Sequence, residues 1–147
     1  MRKICPFCQI VEKQVSAYII AEDSHCLSFL DINPASEGHI LIITKRCAKN
    51  IIGLKQADWN SILPLLKKVV RKIQKTFPGV QGFNFISNMN EDIKKQVAYQ
   101  SIPHFHIHII PKYKKNKGFI WKIQKEKKIN LDELAKKMKV KKTIKCL

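Results

Sequence analysis

Three histidines, His104, His106 and His108, occupy alternate positions within the stretch 99–111, with Phe105, Ile107 and Ile109 between them. Strict alternation of this kind, rich in β-branched and aromatic residues, predicts a strand. Successive strand side chains point to opposite faces, so the three imidazoles are expected to share one face and the apolar residues the other. Three ionisable rings in register on one face are costly unless they serve a site. The chemistry available to them is nucleophilic. A neutral imidazole attacks phosphorus well near pH 7, because its unperturbed pKa lies close to neutrality. The phosphorus–nitrogen bond so formed is then cleaved by water, which divides one hard displacement into two easier ones. Neighbouring imidazoles and hydroxyls can hold the non-bridging oxygens and protonate the leaving group. Histidines at i and i+2 on a strand could instead share one hydrolytic metal ion. Proline stands at both ends of the run, at Pro103 and Pro111, and is expected to close the strand there.

A second group with chemical potential opens the chain, Cys5-Pro6-Phe7-Cys8. A lone CxxC is compatible with redox chemistry, metal binding or chance. Redox use normally places the motif at a helix start after a strand, and here no strand precedes it. Cys26 falls in an apolar strand and reads as core, while Cys146 lies in the tail and carries no assignment.

The 147 residues suit one domain, and a hydrophobic fraction of 45% supports a folded core rather than disorder. There is no apolar run of membrane-spanning length and no apolar segment after Arg2 and Lys3, so a cytoplasmic chain with its five cysteines as thiols is expected. The net charge of +17 is concentrated late: residues 112–147 hold 14 lysines against Glu126, Asp132 and Glu133. That segment carries no recognisable nucleic-acid-binding motif, so binding to nucleic acid is not expected.

The elements that must position these groups can be taken in order. Phe7, Ile10 and Val11 suggest one or two helical turns. Strands are predicted over Ala17–Glu22, Cys26–Ile32, His39–Thr44 and Val80–Ser87. The main helix should be capped by Asp58 and carry Ile62, Leu65, Leu66, Val69, Val70, Ile73 and Phe77 on its apolar stripe. Pro64 lies inside that pattern and is expected to start or kink the helix. A short last helix over Leu131–Met138 takes Asn130 as its cap. Five strands, one main helix and short connections predict an α+β fold with an antiparallel sheet.

Taken together, His104-Phe-His106-Ile-His108-Ile-Ile110, Gln100-Ser101, Gly38-His39 and the strand Cys26–Ile32 resemble the signature of the histidine-triad (HIT) nucleotide-binding proteins. The resemblance covers residues 5 to about 121 and implies a HIT domain over 1–121 followed by a basic extension over 122–147. It implies a five-stranded antiparallel sheet with one long helix, and a homodimer joining two sheets into one of ten strands. The activity implied is that of a hydrolase or transferase acting on purine nucleoside phosphoramidates or dinucleoside polyphosphates. By the same resemblance His106 would be the nucleophile, His108 would bind phosphate, Ser101 would lie beside the scissile bond and His39 would support the cluster. Asp31 would hold the ribose hydroxyls, Ile10, Phe29, Leu30 and Ile32 would line the base pocket, and Gln100 would precede the serine at the nucleotide.

Some bacterial members that this chain resembles hold zinc with an N-terminal CxxC, a histidine eight positions after the Gly-His histidine, and the first triad histidine. Here that count reaches Cys47, so Cys5, Cys8, Cys47 and His104 would form a closed, structural Cys₃His zinc site, one per chain. Two departures bear on the phosphate rim. The family's Ala-Gly-Gln-Ser is Ala98-Tyr99-Gln100-Ser101 here, and the loop 88–97 is longer and carries Lys94 and Lys95. Asn88 or Asn90 would replace a polar phosphate contact. Besides the hydrolase reading, a metal-dependent hydrolase using the triad as ligands and a nucleotide-sensing adaptor with negligible turnover stay open.

Overall fold

The computed structural model describes residues 5–120, 122 and 129–139. The expected domain boundary at 121/122 and Cys146 lie outside them. Five strands, β1 (Ile19–Glu22), β2 (Cys26–Leu30), β3 (Ile40–Thr44), β4 (Gly82–Ile86) and β5 (His106–Lys112), form one antiparallel sheet in the order β1-β2-β3-β5-β4. Helices α1 (Pro6–Val11), α2 (Gln56–Thr76) and α3 (Leu131–Lys137) complete the fold. Asn130 caps α3 as expected, accepting from the backbone of Asp132 and Glu133. Among the described residues no helix is long and apolar enough to cross a membrane.

The sheet separates two environments. Register pairs Ile42 with Ile107 and Ile40 with Ile109, and these residues meet Ile62, Leu65, Val69 and Ile73 of α2 in the larger core. The alternate positions pair Ile43 with His106 and Leu41 with His108, on the opposite face. There Phe7 of α1, Leu27, Phe29, Leu41 and Ile43 form a smaller apolar cluster. Strand periodicity thus sends the apolar residues of β5 to the long helix and leaves two imidazoles on the open face.

Four expectations change. Helix α2 begins at Gln56, so Asp58 is not the cap: it sits in the first turn and accepts the backbone N–H of Lys55 at 2.9 Å. Its buried carboxylate also takes Nε and a terminal guanidinium nitrogen of Arg46, at 3.2 and 2.5 Å, which ties the helix start to the segment after β3. Pro64 does not start the helix, the first of its two expected effects: α2 runs through it from Gln56 to Thr76. The apolar stripe against the sheet outweighs the one backbone bond that proline forgoes. The third difference is at Pro111, which lies within β5 rather than closing it. Its carbonyl accepts from Ser36 Oγ at 2.7 Å, so the edge lacking an N–H faces the side where β3 has already ended. Finally, His104 precedes β5 instead of joining the strand face, and it is fully buried.

Candidate active site and metal centre

A cavity of about 650 Å³ opens on the α1 side of the sheet, with His106, His108, His39, Asp31 and Ser101 on its wall. The backbone groups around the histidines decide which ring nitrogen carries each proton. His106 Nδ1 lies 2.7 Å from the carbonyl of His104. A carbonyl can only accept, so Nδ1 holds the hydrogen and Nε2 keeps its lone pair. Burial pushes the pKa of His106 down, against the raising influences of that carbonyl and of Asp31, so the ring is neutral at pH 7 and Nε2 is a free nucleophile.

His39 and His108 are ordered the same way. The Ala35 amide donates to His39 Nδ1 at 3.1 Å, which leaves the His39 proton on Nε2. That N–H points at His108 Nδ1, 3.0 Å away, and at Asp31 Oδ2, 3.5 Å away. His108 then accepts at Nδ1 and carries its hydrogen on Nε2, a donor for an anionic oxygen. Burial, followed by the neighbouring His106 and His39, depresses His108 to about 4, and burial lowers His39 as well. Both rings are neutral at pH 7, so neither forms an ion pair with Asp31: His39 Nε2–H faces Asp31 Oδ2, while His108 Nδ1, 3.7 Å from the same oxygen, has no hydrogen to give it. Gly38 places His39: its φ of +78° suits glycine, and a Cβ there would stand 2.9 Å from the Phe77 ring. Asp31, His39 and His108 offer three ligand atoms within 4.8 Å of one another, a possible cation group. A cation at His39 Nε2 would have to displace its proton and so sacrifice the Ala35 hydrogen bond or create an imidazolate. The tautomers therefore disfavour a metal ion held by Asp31, His39 and His108.

The expected base-pocket residues divide. Ile10, Phe29 and Ile32 line the cavity, Ile32 at its rim with 86% of its surface exposed. Leu30 borders it too, yet its pairing with Ile40 turns the side chain toward α2, where it packs against the larger core. Gln100 is fully buried and its side chain is committed to protein: Oε1 accepts from Asn90 N at 3.0 Å and Nε2 donates to the Lys49 carbonyl at 2.7 Å. Asn90, also buried, donates to the Gln100 carbonyl and accepts from Ala98 N. This Asn90–Gln100 pair fixes the long loop and delivers Ser101 to the cavity, so neither amide faces a phosphate. Asn88 donates to the Tyr99 carbonyl at 3.5 Å and does not line the cavity. Tyr99 holds φ at +58° with its ring exposed, the left-handed conformation that a glycine adopts without strain.

Sequence reasoning passed over Phe7, Tyr18, Leu41 and Ile102, all on the cavity wall. Phe7 carried a signal: it stands one helical turn before Ile10, on the same face of α1. The ordering of the imidazoles by the Ala35 amide and the His104 carbonyl had none, because backbone groups have no sequence signature.

Cys5, Cys8, Cys47 and His104 come together as expected, with their ligand atoms all within 4.8 Å. His104 Nε2 donates to the Thr44 carbonyl at 2.8 Å, so Nδ1 has the lone pair and faces Cys5 Sγ at 3.4 Å and Cys8 Sγ at 3.6 Å. A tetrahedral zinc with bonds of about 2.0–2.3 Å has neighbouring ligand atoms roughly 3.5–3.8 Å apart, so these separations fit. The carbonyl behind the ring is the kind of outer partner that orients metal-ligating histidines. Burial, with Cys47 and Cys5 alongside, pushes the Cys8 thiol up to about 12, a crowding of sulfurs that a cation would reverse. The donor set fits zinc.

Comparison with known proteins agrees with this geometry. An adenosine 5'-monophosphoramidase of Schizosaccharomyces pombe is 38% identical over 108 residues, 74% of each chain. A HIT family protein from Bacillus anthracis superposes with a TM-score of 0.78 at 32% identity, covering 95% of this chain and 97% of that one. A zinc-bound histidine triad family protein from Mycobacterium smegmatis gives a TM-score of 0.69 at 26% identity, covering 79% of this chain and 80% of that one. The HIT domain family matches residues 12–115, and with the antiparallel sheet, the ordered histidines and these relatives on the page, the chain belongs to the HIT family.

Proposed function

We propose that the chain is a nucleotide-binding hydrolase or transferase that cleaves a phosphoramidate or phosphoanhydride bond at a nucleoside α-phosphate through a covalent nucleotidyl-His106. The observation that carries this reading is the ordering of His106: Nδ1–H is held by the His104 carbonyl, which leaves Nε2 its lone pair, and the residue lines a cavity large enough for a mononucleotide. The apolar wall of Phe7, Ile10 and Phe29 suits a base, and Asp31, whose Oδ1 accepts from Asn33 N, suits the ribose hydroxyls. The name of the fission-yeast relative supports the phosphoramidate class.

In the first step the Nε2 lone pair of His106 forms a bond to phosphorus while the bond to the leaving nitrogen or oxygen breaks. Nδ1–H, donating to a carbonyl, steadies the positive charge that the ring acquires. His108 Nε2–H holds a non-bridging oxygen, and the Ser101 hydroxyl at the leaving side donates its proton to the departing atom as it takes another from solvent, so the serine stays neutral. In the second step water adds its oxygen to phosphorus and the phosphorus–nitrogen bond returns its electrons to Nε2. The mononucleotide leaves, and one proton of the water is released to the site.

Zinc held by Cys5, Cys8, Cys47 and His104 would supply structure: a closed four-ligand site has no open position for water. The pairing of two chains is supported by the edge position of β4 with its half-exposed Phe85, and by Trp59 and Leu63 on the outer side of α2, 48% and 55% exposed.

Incubation with adenosine 5'-phosphoramidate, acid-free quenching and intact-mass measurement tests the reading. A mass increase of one adenylyl group that His106→Ala abolishes is expected. Near-normal turnover by that variant would remove the covalent mechanism.

A further inference from the structure

The two sites described so far meet in one short element. Helix α1 is six residues long, with Cys5 at its N-cap and Pro6 in its first turn. Its backbone bonds are local, Gln9 N to the Cys5 carbonyl at 3.1 Å and Glu12 N to the Cys8 carbonyl at 2.9 Å. A helix of this length does not hold itself together in water, so its position depends on what its side chains grip. Cys5 and Cys8 reach His104 Nδ1. Phe7, between them, is buried. Its ring meets His104 edge-on at 5.8 Å between centroids, His106 at 5.3 Å and Phe29 at 5.7 Å. The same ring forms part of the nucleotide cavity wall. A shift in the thiols therefore moves the ring that flanks the nucleophile.

We infer that metal occupancy and nucleotide binding are coupled through Phe7, a positioning residue that transmits the state of the Cys₃His cluster to the cavity and to His106. The inference rests on the nucleotide reading above and adds regulation to it. Closing the cluster on a cation fixes α1 and with it the cavity wall, so loading raises nucleotide affinity. Because coupling between two sites is reciprocal, a bound nucleotide raises metal affinity by the same factor.

The test uses the full chain, Zn²⁺ and AMP. Calorimetric titration of AMP into zinc-loaded and metal-free protein, at a temperature where circular dichroism shows both folded, gives one factor. Competition for Zn²⁺ with a chromophoric chelator, without AMP and at saturating AMP, gives the other. Both are expected near tenfold and equal within error. Phe7→Leu keeps all four ligands, so its zinc affinity without AMP should change little while both factors fall toward one. If the metal-free chain unfolds, the chelator competition carries the test alone, since it starts from loaded protein. Coupling produced by global unfolding would then persist in Phe7→Leu, and that result would overturn the role of Phe7. Equal AMP affinity with and without zinc, and chelator curves that AMP does not move, would overturn the coupling. Failure of AMP to bind even the loaded protein would instead bring down the nucleotide reading, and this inference with it.

Discussion

His108 offers a quantitative test through pH. Its ring is side-on to His106 and hydrogen-bonded to His39, and burial together with those rings depresses its pKa from 6.5 to about 4. In the unfolded chain the ring takes up a proton near pH 6.5, whereas in the folded chain it does so only near pH 4. Between those values the unfolded state binds more protons, so stability rises with pH and is lost as pH falls from about 6.5 toward 4. A depression of this size corresponds to about 3 kcal/mol, at about 1.4 kcal/mol per pH unit. That is a large part of the roughly 5–15 kcal/mol that stabilises a domain. His108→Gln removes the titrating group, with its side chain 23% exposed and the site's other residues in place. Urea unfolding of both proteins at pH 7, 6, 5 and 4 gives the comparison. Protonation of the cysteines and of His104 is common to the pair and cancels in the difference. Wild type should lose about 3 kcal/mol more than the variant over this range. Parallel curves within about 0.5 kcal/mol would mean that His108 is not held neutral by its neighbours, and the proton ordering from Ala35 through His39 to His108 would fall.

Asp31→Ala should weaken AMP binding by roughly 1–3 kcal/mol, the cost of leaving a buried hydrogen-bonding partner unsatisfied, with unchanged affinity by calorimetry refuting the ribose assignment. Cys47→Ala should lower both the zinc content, from about one per chain, and the melting temperature, whereas Cys47→His should keep the metal. Equal zinc retention in both variants would exclude Cys47 as a ligand. Tyr99→Gly should stabilise the fold by roughly 0.5–1 kcal/mol, since relief of about 1–2 kcal/mol of left-handed strain exceeds the entropy cost of glycine; a lowered melting temperature would show that the Tyr99 ring makes contacts that matter more. Light scattering at micromolar concentration should give about twice the 17.1 kDa chain mass, and a monomer at all concentrations would contradict the joined sheet.

The alternation through Phe105–Ile109 was enough by itself to put His106 and His108 on one face, because side-chain direction in a strand is a local property of the backbone. The stripe of Ile62, Leu65, Val69 and Ile73 likewise announced the buried face of α2. The grouping of Cys5, Cys8, Cys47 and His104 followed from the family resemblance and its eight-residue count from His39, since the CxxC alone left redox use, metal binding and chance open. Other features waited for the tertiary structure. Whether proline breaks an element depends on what lies beside its missing N–H, so Pro64 within α2 and Pro111 within β5 could not be judged from neighbours in sequence. Gln100 read as a nucleotide contact because it precedes Ser101, but packing turned its amide inward to Asn90 and Lys49. The protonation pattern was least legible of all. It is set by the carbonyls of His104 and Thr44 and the amide of Ala35, groups that every residue possesses and that only the fold can aim.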